Sequence, residues 1–356
     1  MSDKKRILVI GATGAQGMHV IPALLVSSED GTPSPYSVRA LTRDPTNRRA
    51  RELEALGVEI FKGTFDDFSA IAAALDGCYG AWVNTDTYTV GQQKEIFAGI
   101  KIYETARRTK TFRHLIWSGL DYGSKLGNYD PRYISENYDA KGIVTEFLKG
   151  QSSSLGDGLT WTSITSGVYL EMLNYALCGP LNVRKDGTVV FTSPVNDGHV
   201  TMIALEDLGW WVRYTLDHRE ETSGKDLEVA SEVVGWDYLS ETFTKVTGIP
   251  SVHKRLTLDE WFGCLAGADR PIANEKKVGD GSVTIREHFS GFWGLWRDDI
   301  IKRDMDWVRR THPTGHTLES WIRKTGFNGK IGSTALKNAE DGKGRLLPNR
   351  EVCNTM

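Results

Sequence analysis

The chain has 356 residues, of which 40% are hydrophobic and 25% charged, and its net charge is −3. That balance lets a sizeable core be buried. It gives no electrostatic ground for nucleic acid or an anionic membrane as the main partner. The four cysteines, Cys78, Cys178, Cys264 and Cys353, form no CxxC pair, so neither a zinc site nor a redox dithiol is signalled.

Arg6–Ile10 (RILVI) reads as a buried strand, Gly11–Gly17 as a glycine turn and Met18–Ser27 as a helix with Val20, Leu24 and Leu25 on one stripe. Ser37–Thr42 is a second strand, Arg48–Leu56 a charged amphipathic helix and Val58–Phe61 a third strand. Asp67–Leu75 reads as a helix with a good N-cap, Ala81–Asn84 as a strand, Gln92–Arg108 as a long helix and Leu115–Ser118 as a fifth strand. This alternation predicts an α/β fold with a doubly wound parallel Rossmann sheet.

Gly119–Arg132 suits a loop at the strand ends, Ser135–Lys149 a helix and Leu159–Ile164 a strand. Beyond residue 167 the pattern loosens. Thr188–Phe191, His199–Ile203 and Asp226–Ala230 read as strands, Glu206–Leu216 as a helix and 236–321 as mostly helical. The expected organisation is a dinucleotide-binding domain over 1–166, a smaller, mostly helical lobe over 167–330 and a mobile tail over 331–356. The N-terminus has no secretory h-region, and no apolar run approaches the roughly 20 residues that span a bilayer. A cytoplasmic or nuclear location is expected.

The turn Gly11-Ala12-Thr13-Gly14-Ala15-Gln16-Gly17 has the spacing G-x-x-G-x-x-G. Gly11 permits the tight turn, Gly14 lets the backbone approach a pyrophosphate, and Gly17 allows close helix–sheet packing. Amides at the helix start then receive the phosphate charge. At the end of strand two, an NAD site usually places an acid. This chain reads Thr42-Arg43-Asp44, and a guanidinium pairs with a 2′-phosphate through two parallel bonds. NADP(H) is therefore favoured over NAD(H), with Asp44 the residue that a one-position shift would bring in. The basic clusters Lys4-Lys5-Arg6, Arg48-Arg49 with Arg51, and Arg309-Arg310 read as solvated surface.

GATGAQG, LTRDP, VEIFKGTFDD, LDGCYGAWVNTDTY, HLIWSGLD and ENYDAKGIVTEFL together resemble the NmrA-like family, an atypical branch of the short-chain dehydrogenase/reductases, over roughly residues 5–260. The family includes reductases and non-catalytic NADP(H) sensors. The resemblance implies that Gly11, Ala12, Thr13, Gly14, Ala15 and Gln16 cradle the cofactor and that Arg43 holds the 2′-phosphate. It implies that Thr64 and Phe65 flank the adenine, and that Thr85, Asp86 and Thr87 run beside the nicotinamide ribose. It also implies that Lys141 reaches the ribose or nicotinamide, and that Tyr169 and Leu170 cover the nicotinamide. One position departs: where some relatives carry a lysine in the helix after strand four, this chain has Ile96-Phe97.

Short-chain dehydrogenases pair Tyr-x-x-x-Lys on one helix face with a nearby serine. Here Asn137 stands four residues before Lys141, and Tyr138 three before it. The candidate catalytic residues are Lys141, as ribose anchor or general acid/base, Tyr138 as proton donor, and Ser118 at the end of strand five. Tyr122, Tyr129 and Tyr133 are placed to line an aromatic cleft or to pack their loop. His312-Pro-Thr-Gly-His316 is broken by Pro313 and Gly315, so no metal is expected, and the tryptophans of the C-terminal half read as core.

Two readings stay open. One is an NADPH-dependent reductase of a small aromatic or quinone-like molecule. The other is a redox sensor that binds NADP(H) and acts through a regulatory protein partner. The missing tyrosine–lysine dyad favours the sensor, and the aromatic-rich lobe favours the enzyme. A homodimer is compatible with either. A DNA-binding regulator is the weakest reading, because no basic face appears.

Overall fold

The computed structural model describes residues 4–28, 30–332, 336 and 346–356. They divide into two compact units: 1–120 with 140–165 and 208–228, and 121–139 with 166–207 and 229–356. The expected boundary at residue 166 is thus not one cut, because the chain leaves the first unit and returns to it.

The first unit is built on alternating elements: β1 (Lys5–Ile10), α1 (Gly17–Leu25), β2 (Tyr36–Thr42), α2 (Arg48–Ala55), β3 (Glu59–Lys62), α3 (Phe68–Leu75), β4 (Gly80–Val83), α4 (Thr87–Val90), α5 (Gln92–Arg108) and β5 (His114–Gly119). α6 (Glu136–Lys149), β6 (Thr160–Thr165), α7 (Leu205–Asp217) and β7 (Lys225–Glu228) follow. The seven strands lie in the order β7-β6-β5-β4-β1-β2-β3, and every neighbouring pair is parallel. β1 is apolar on both faces, with Ile7, Leu8 and Val9 fully buried. A parallel strand covered by helices on both sides demands that pattern. Side-chain caps fix two helix starts: Asn47 accepts from the Ala50 amide for α2, and Asp67 from the Ser69 and Ala70 amides for α3.

β7 is the part of the sheet that lies beyond the expected domain boundary. α7 carries the chain back to it by packing on α1. The Arg213 guanidinium donates to the carbonyls of Ala23, Leu24 and Val26 at the C-terminal end of α1, where such oxygens lack helical partners. The Tyr36 hydroxyl donates to Asp217 at 2.8 Å.

The second unit holds helices 236–247 and 285–297 with two three-stranded sheets and a two-stranded one. Its core is aromatic. Trp236, Trp261, Trp293 and Trp296 are at most 1% exposed, and Trp293 meets Trp236 and Trp261 edge to face. Arg303 grips Asp121 through two hydrogen bonds of 2.9 and 2.7 Å. The stretch expected to be a mobile tail is packed where it is described. Leu347–Pro348 pairs antiparallel with Leu265–Ala266, and the buried Cys353 thiol donates to the Cys264 carbonyl. The rest of that expectation falls mostly on 333–335 and 337–345, outside the described residues. No helix among the described residues is long and apolar enough to cross a membrane.

Each unit buries a histidine. Burial, with the Arg219 charge, pushes His114 of β5 down to about 3; burial alone does the same to His288. The unfolded chain then binds more protons than the folded one between about pH 3 and 6.5. Stability is complete above that window and is lost as pH falls through it, by up to about 1.4 kcal/mol per pH unit for each group. Urea midpoints should drop between pH 7 and pH 5, and His288→Phe should reduce the slope. An unchanged slope in that variant would show that His288 is not protonated on unfolding.

Candidate functional site

The site is set by where the strand order reverses. β2 and β3 run outward on one side of β1, and β4 begins the other half on the opposite side. Ile10 pairs with Leu41 of β2 and with Val83 of β4. Gly11, Thr42-Arg43 and Asn84 therefore leave the sheet together at its carboxyl edge, where ligands of open α/β sheets bind.

The glycine turn occupies this edge with its backbone. Gly11 has φ +77°, and a Cβ there would stand 2.8 Å from the Asn84 carbonyl oxygen. The Gly14 amide donates back to the Gly11 carbonyl at 2.9 Å. A Cβ at Gly17 would fall 2.3 Å from the Ala12 carbonyl oxygen, so α1 starts in direct contact with the turn. Gln16 at the N-cap supplies no side-chain cap to the first helical amides. Ala12 and Thr13 are buried, and Ala15 is half-buried. The turn therefore presents backbone rather than side chains, the surface a pyrophosphate needs.

Arg43 is exposed and makes no hydrogen bond or ion pair with any described residue. Asp44 is the acid that would have argued for NAD. Its carboxylate accepts from the Thr46 amide and hydroxyl at 2.8 and 2.6 Å, inside its own turn. Arg49 corrects the surface reading of the Arg48-Arg49 cluster. It is 4% exposed, and its guanidinium donates to the Thr13 carbonyl at 3.1 Å. Its place on the inner face of α2 hides it, and the sequence signal was its spacing, one residue before the buried Ala50. Thr64 and Phe65 follow β3 and are half-buried, with Phe65 packed on the core under α3 and α5.

After β4, Asp86 caps α4 by accepting from the Tyr88 amide. Thr85 and Thr87 both donate to Glu95 of α5, Thr85 at 2.6 Å. Glu95 is fully buried, a place the sequence does not signal, because a lone glutamate in an amphipathic helix reads as surface. Its partner is Lys141, whose ammonium lies 3.2 Å from Glu95 Oε1, Asn84 Oδ1 and the Thr85 carbonyl oxygen. Burial raises the Glu95 pKa, while the Lys141 charge and the Thr85 hydroxyl pull it back.

The other two candidate catalytic residues are also engaged. Ser118 is 1% exposed and donates to Gln16 Oε1 at 2.8 Å, tying β5 to the glycine turn. Tyr138 is 2% exposed, with its ring edge to face on Phe292 and Trp296 in the second unit's aromatic core. Its ring is a packing element there. Also in the second unit, Tyr169 is half-buried at the end of a short strand, and Leu170 is fully buried. Tyr133 is buried, while Tyr122 and the exposed Tyr129 meet edge to face in their loop. His312 and His316 both turn to acids: the His312 ring lies 3.2 Å from Asp207 and the His316 ring 3.2 Å from Glu206.

The oxidoreductase malD of Malbranchea aurantiaca, an NmrA-like family domain-containing protein, is 26% identical over 265 residues, 72% of this chain and 76% of its own. Among solved structures, the negative transcriptional regulator NmrA in complex with NADP superposes with a TM-score of 0.65 at 18% identity, covering 96% of this chain and 98% of that one. The NADPH-dependent quinone oxidoreductase QOR2 of Escherichia coli, complexed with NADPH, gives 0.66 at 18% identity, covering 90% and 100%. These superpositions agree with the doubly wound sheet. The NmrA-like family model matches residues 3–274, well over half the sequence, and the chain belongs to the NmrA-like family.

Proposed function

We propose that this protein is an NADP(H)-dependent oxidoreductase that reduces a small aromatic or quinone-like acceptor. The observation that carries the cofactor half is Arg43, an exposed guanidinium without an internal partner at the end of β2, on the edge that holds the glycine turn. A charge left unpaired at that position suits a 2′-phosphate. The glycine turn fits the pyrophosphate, since Gly11, Gly14 and Gly17 leave backbone where side chains would stand. Support for the redox half comes from malD, named an oxidoreductase, and from QOR2, named a quinone oxidoreductase.

Bound nicotinamide supplies a hydride. The chain's own residues bind and orient. Arg43 holds the 2′-phosphate, the glycine turn holds the pyrophosphate, and Thr85, Asp86 and Thr87 border the path beyond it. Lys141, Ser118 and Tyr138 are each committed inside the fold. The acceptor is therefore one that takes its proton from water. A quinone-like molecule meets this requirement, because its reduced oxygens are weak acids that exchange protons with solvent.

The same engagement of all three groups favours a second reading, a sensor that binds NADP(H) and transmits its redox state to a protein partner. Calorimetric titration separates the possibilities. NADPH should bind at least about tenfold more tightly than NADH, roughly 1.4 kcal/mol, and Arg43→Ala should close that gap. Equal affinities in the wild type would remove the NADP(H) assignment. Turnover of NADPH with a panel of quinones is expected, and Tyr138→Phe, which keeps the ring packing, should retain that turnover to within about threefold, under 1 kcal/mol. A panel without turnover, together with a tenfold preference for one redox form, would replace the enzyme by the sensor.

A further inference from the structure

The buried network around Glu95 has a direction in the fold. β1 is flanked by β2 on one side and β4 on the other. Arg43 leaves from β2, and Asn84 leaves from β4 in contact range of Gly11. On the cofactor reading above, the pyrophosphate lies on the glycine turn and the 2′-phosphate on Arg43. The nicotinamide half then has to run past the end of β4, over Asn84, Thr85, Asp86 and Thr87.

We propose that Glu95 is a positioning residue for the nicotinamide half of the nucleotide, locking the Asn84–Thr87 turn and the Lys141 ammonium into one unit; this rests on the NADP(H) reading. An ammonium has three N–H donors. Those of Lys141 face three acceptors at 3.2 Å: Glu95 Oε1, Asn84 Oδ1 and the Thr85 carbonyl oxygen. The ammonium also lies over the Trp117 ring, 5.1 Å from its centroid. Glu95 in turn accepts from both threonine hydroxyls of the turn. One carboxylate thus ties together the residues after β4, the helix α5 that carries it and the lysine of α6. The network is buried, with Glu95 0% and Lys141 9% exposed at their side chains. In so dry a setting an alternative arrangement leaves a charge or a hydroxyl unsatisfied. Lys141 accordingly shapes the turn here, its side-chain nitrogen engaged by three acceptors.

The test uses two ligands that report on different halves. NADPH spans the whole site, and 2′,5′-ADP reaches only the adenine and 2′-phosphate side. In calorimetry on the full chain, Glu95→Gln should weaken NADPH by about tenfold and leave 2′,5′-ADP within about twofold. Glu95→Gln leaves Lys141 buried without a counter-charge, and such a variant folds poorly. The double variant Glu95→Gln/Lys141→Met removes both charges, should fold, and should show the same split between the ligands. Unchanged NADPH affinity in both variants overturns the proposal. So does an equal loss of both ligands, which marks a general structural role. If the wild type binds neither ligand, the NADP(H) reading itself falls, a result that the variants do not enter.

Discussion

The contact of α1 with the end of β1 governs the first unit. The Gly17 Cβ position lies 2.3 Å from the Ala12 carbonyl oxygen, so any side chain there would meet backbone. That closeness places the start of a helix directly over a strand end and leaves its first amides as the local surface. Neighbouring elements then fasten to the same turn. Arg49 of α2 holds the Thr13 carbonyl, Ser118 of β5 holds the Gln16 side chain, and Asn84 after β4 lies against Gly11. Three strands and a second helix are thus referenced to one seven-residue turn.

The sheet is completed from far along the chain, and the way this happens explains why α7, from Leu208 on, belongs to the first unit. The C-terminal carbonyls of α1 need donors, and Arg213 supplies them from α7. Gly209 lets α7 approach closely, since a Cβ there would stand 2.6 Å from the His19 carbonyl oxygen. With α7 seated on α1, the chain is brought to the open edge of β6, where Lys225–Glu228 adds the seventh strand. Covering that edge removes a row of unpaired amides and carbonyls from β6.

Local patterns were legible in the sequence, and distant pairings were not. The glycine spacing, the apolar run of β1 and the Arg43 position are written in consecutive residues, and each is found where the sequence placed it. Glu95 is different. Its type and spacing match a solvated helix face, and only the fold shows that Thr85, Thr87 and Lys141 converge on it. Arg49 reads as part of a charged surface helix for the same reason. Cys264 and Cys353 carry no spacing motif, yet β-pairing between 265–266 and 347–348 brings the Cys353 thiol onto the Cys264 carbonyl. Tyr138 is a parallel case: its three-residue spacing from Lys141 is local, while the packing of its ring on Phe292 and Trp296 is visible only in the fold.

The engaged groups bear on what kind of chemistry the fold supports. A tyrosine general acid serves acceptors whose oxygen must be protonated as hydride arrives, because an alkoxide is too basic to form freely. The Tyr138 ring is packed among Phe292 and Trp296, and on the reading proposed above the proton comes from water instead. Acceptors whose reduced form spreads its negative charge through a conjugated ring are under no such demand. For them the barrier depends on holding the ring and the hydride donor in register, a matter of positioning. A site whose polar side chains are spent on fixing its own turns, as Glu95, Lys141, Ser118 and Gln16 are, is suited to that task. The same rigidity serves a sensor, whose discrimination rests on one fixed surface meeting two redox forms. The two readings therefore share a binding site and differ in whether an acceptor reaches the hydride.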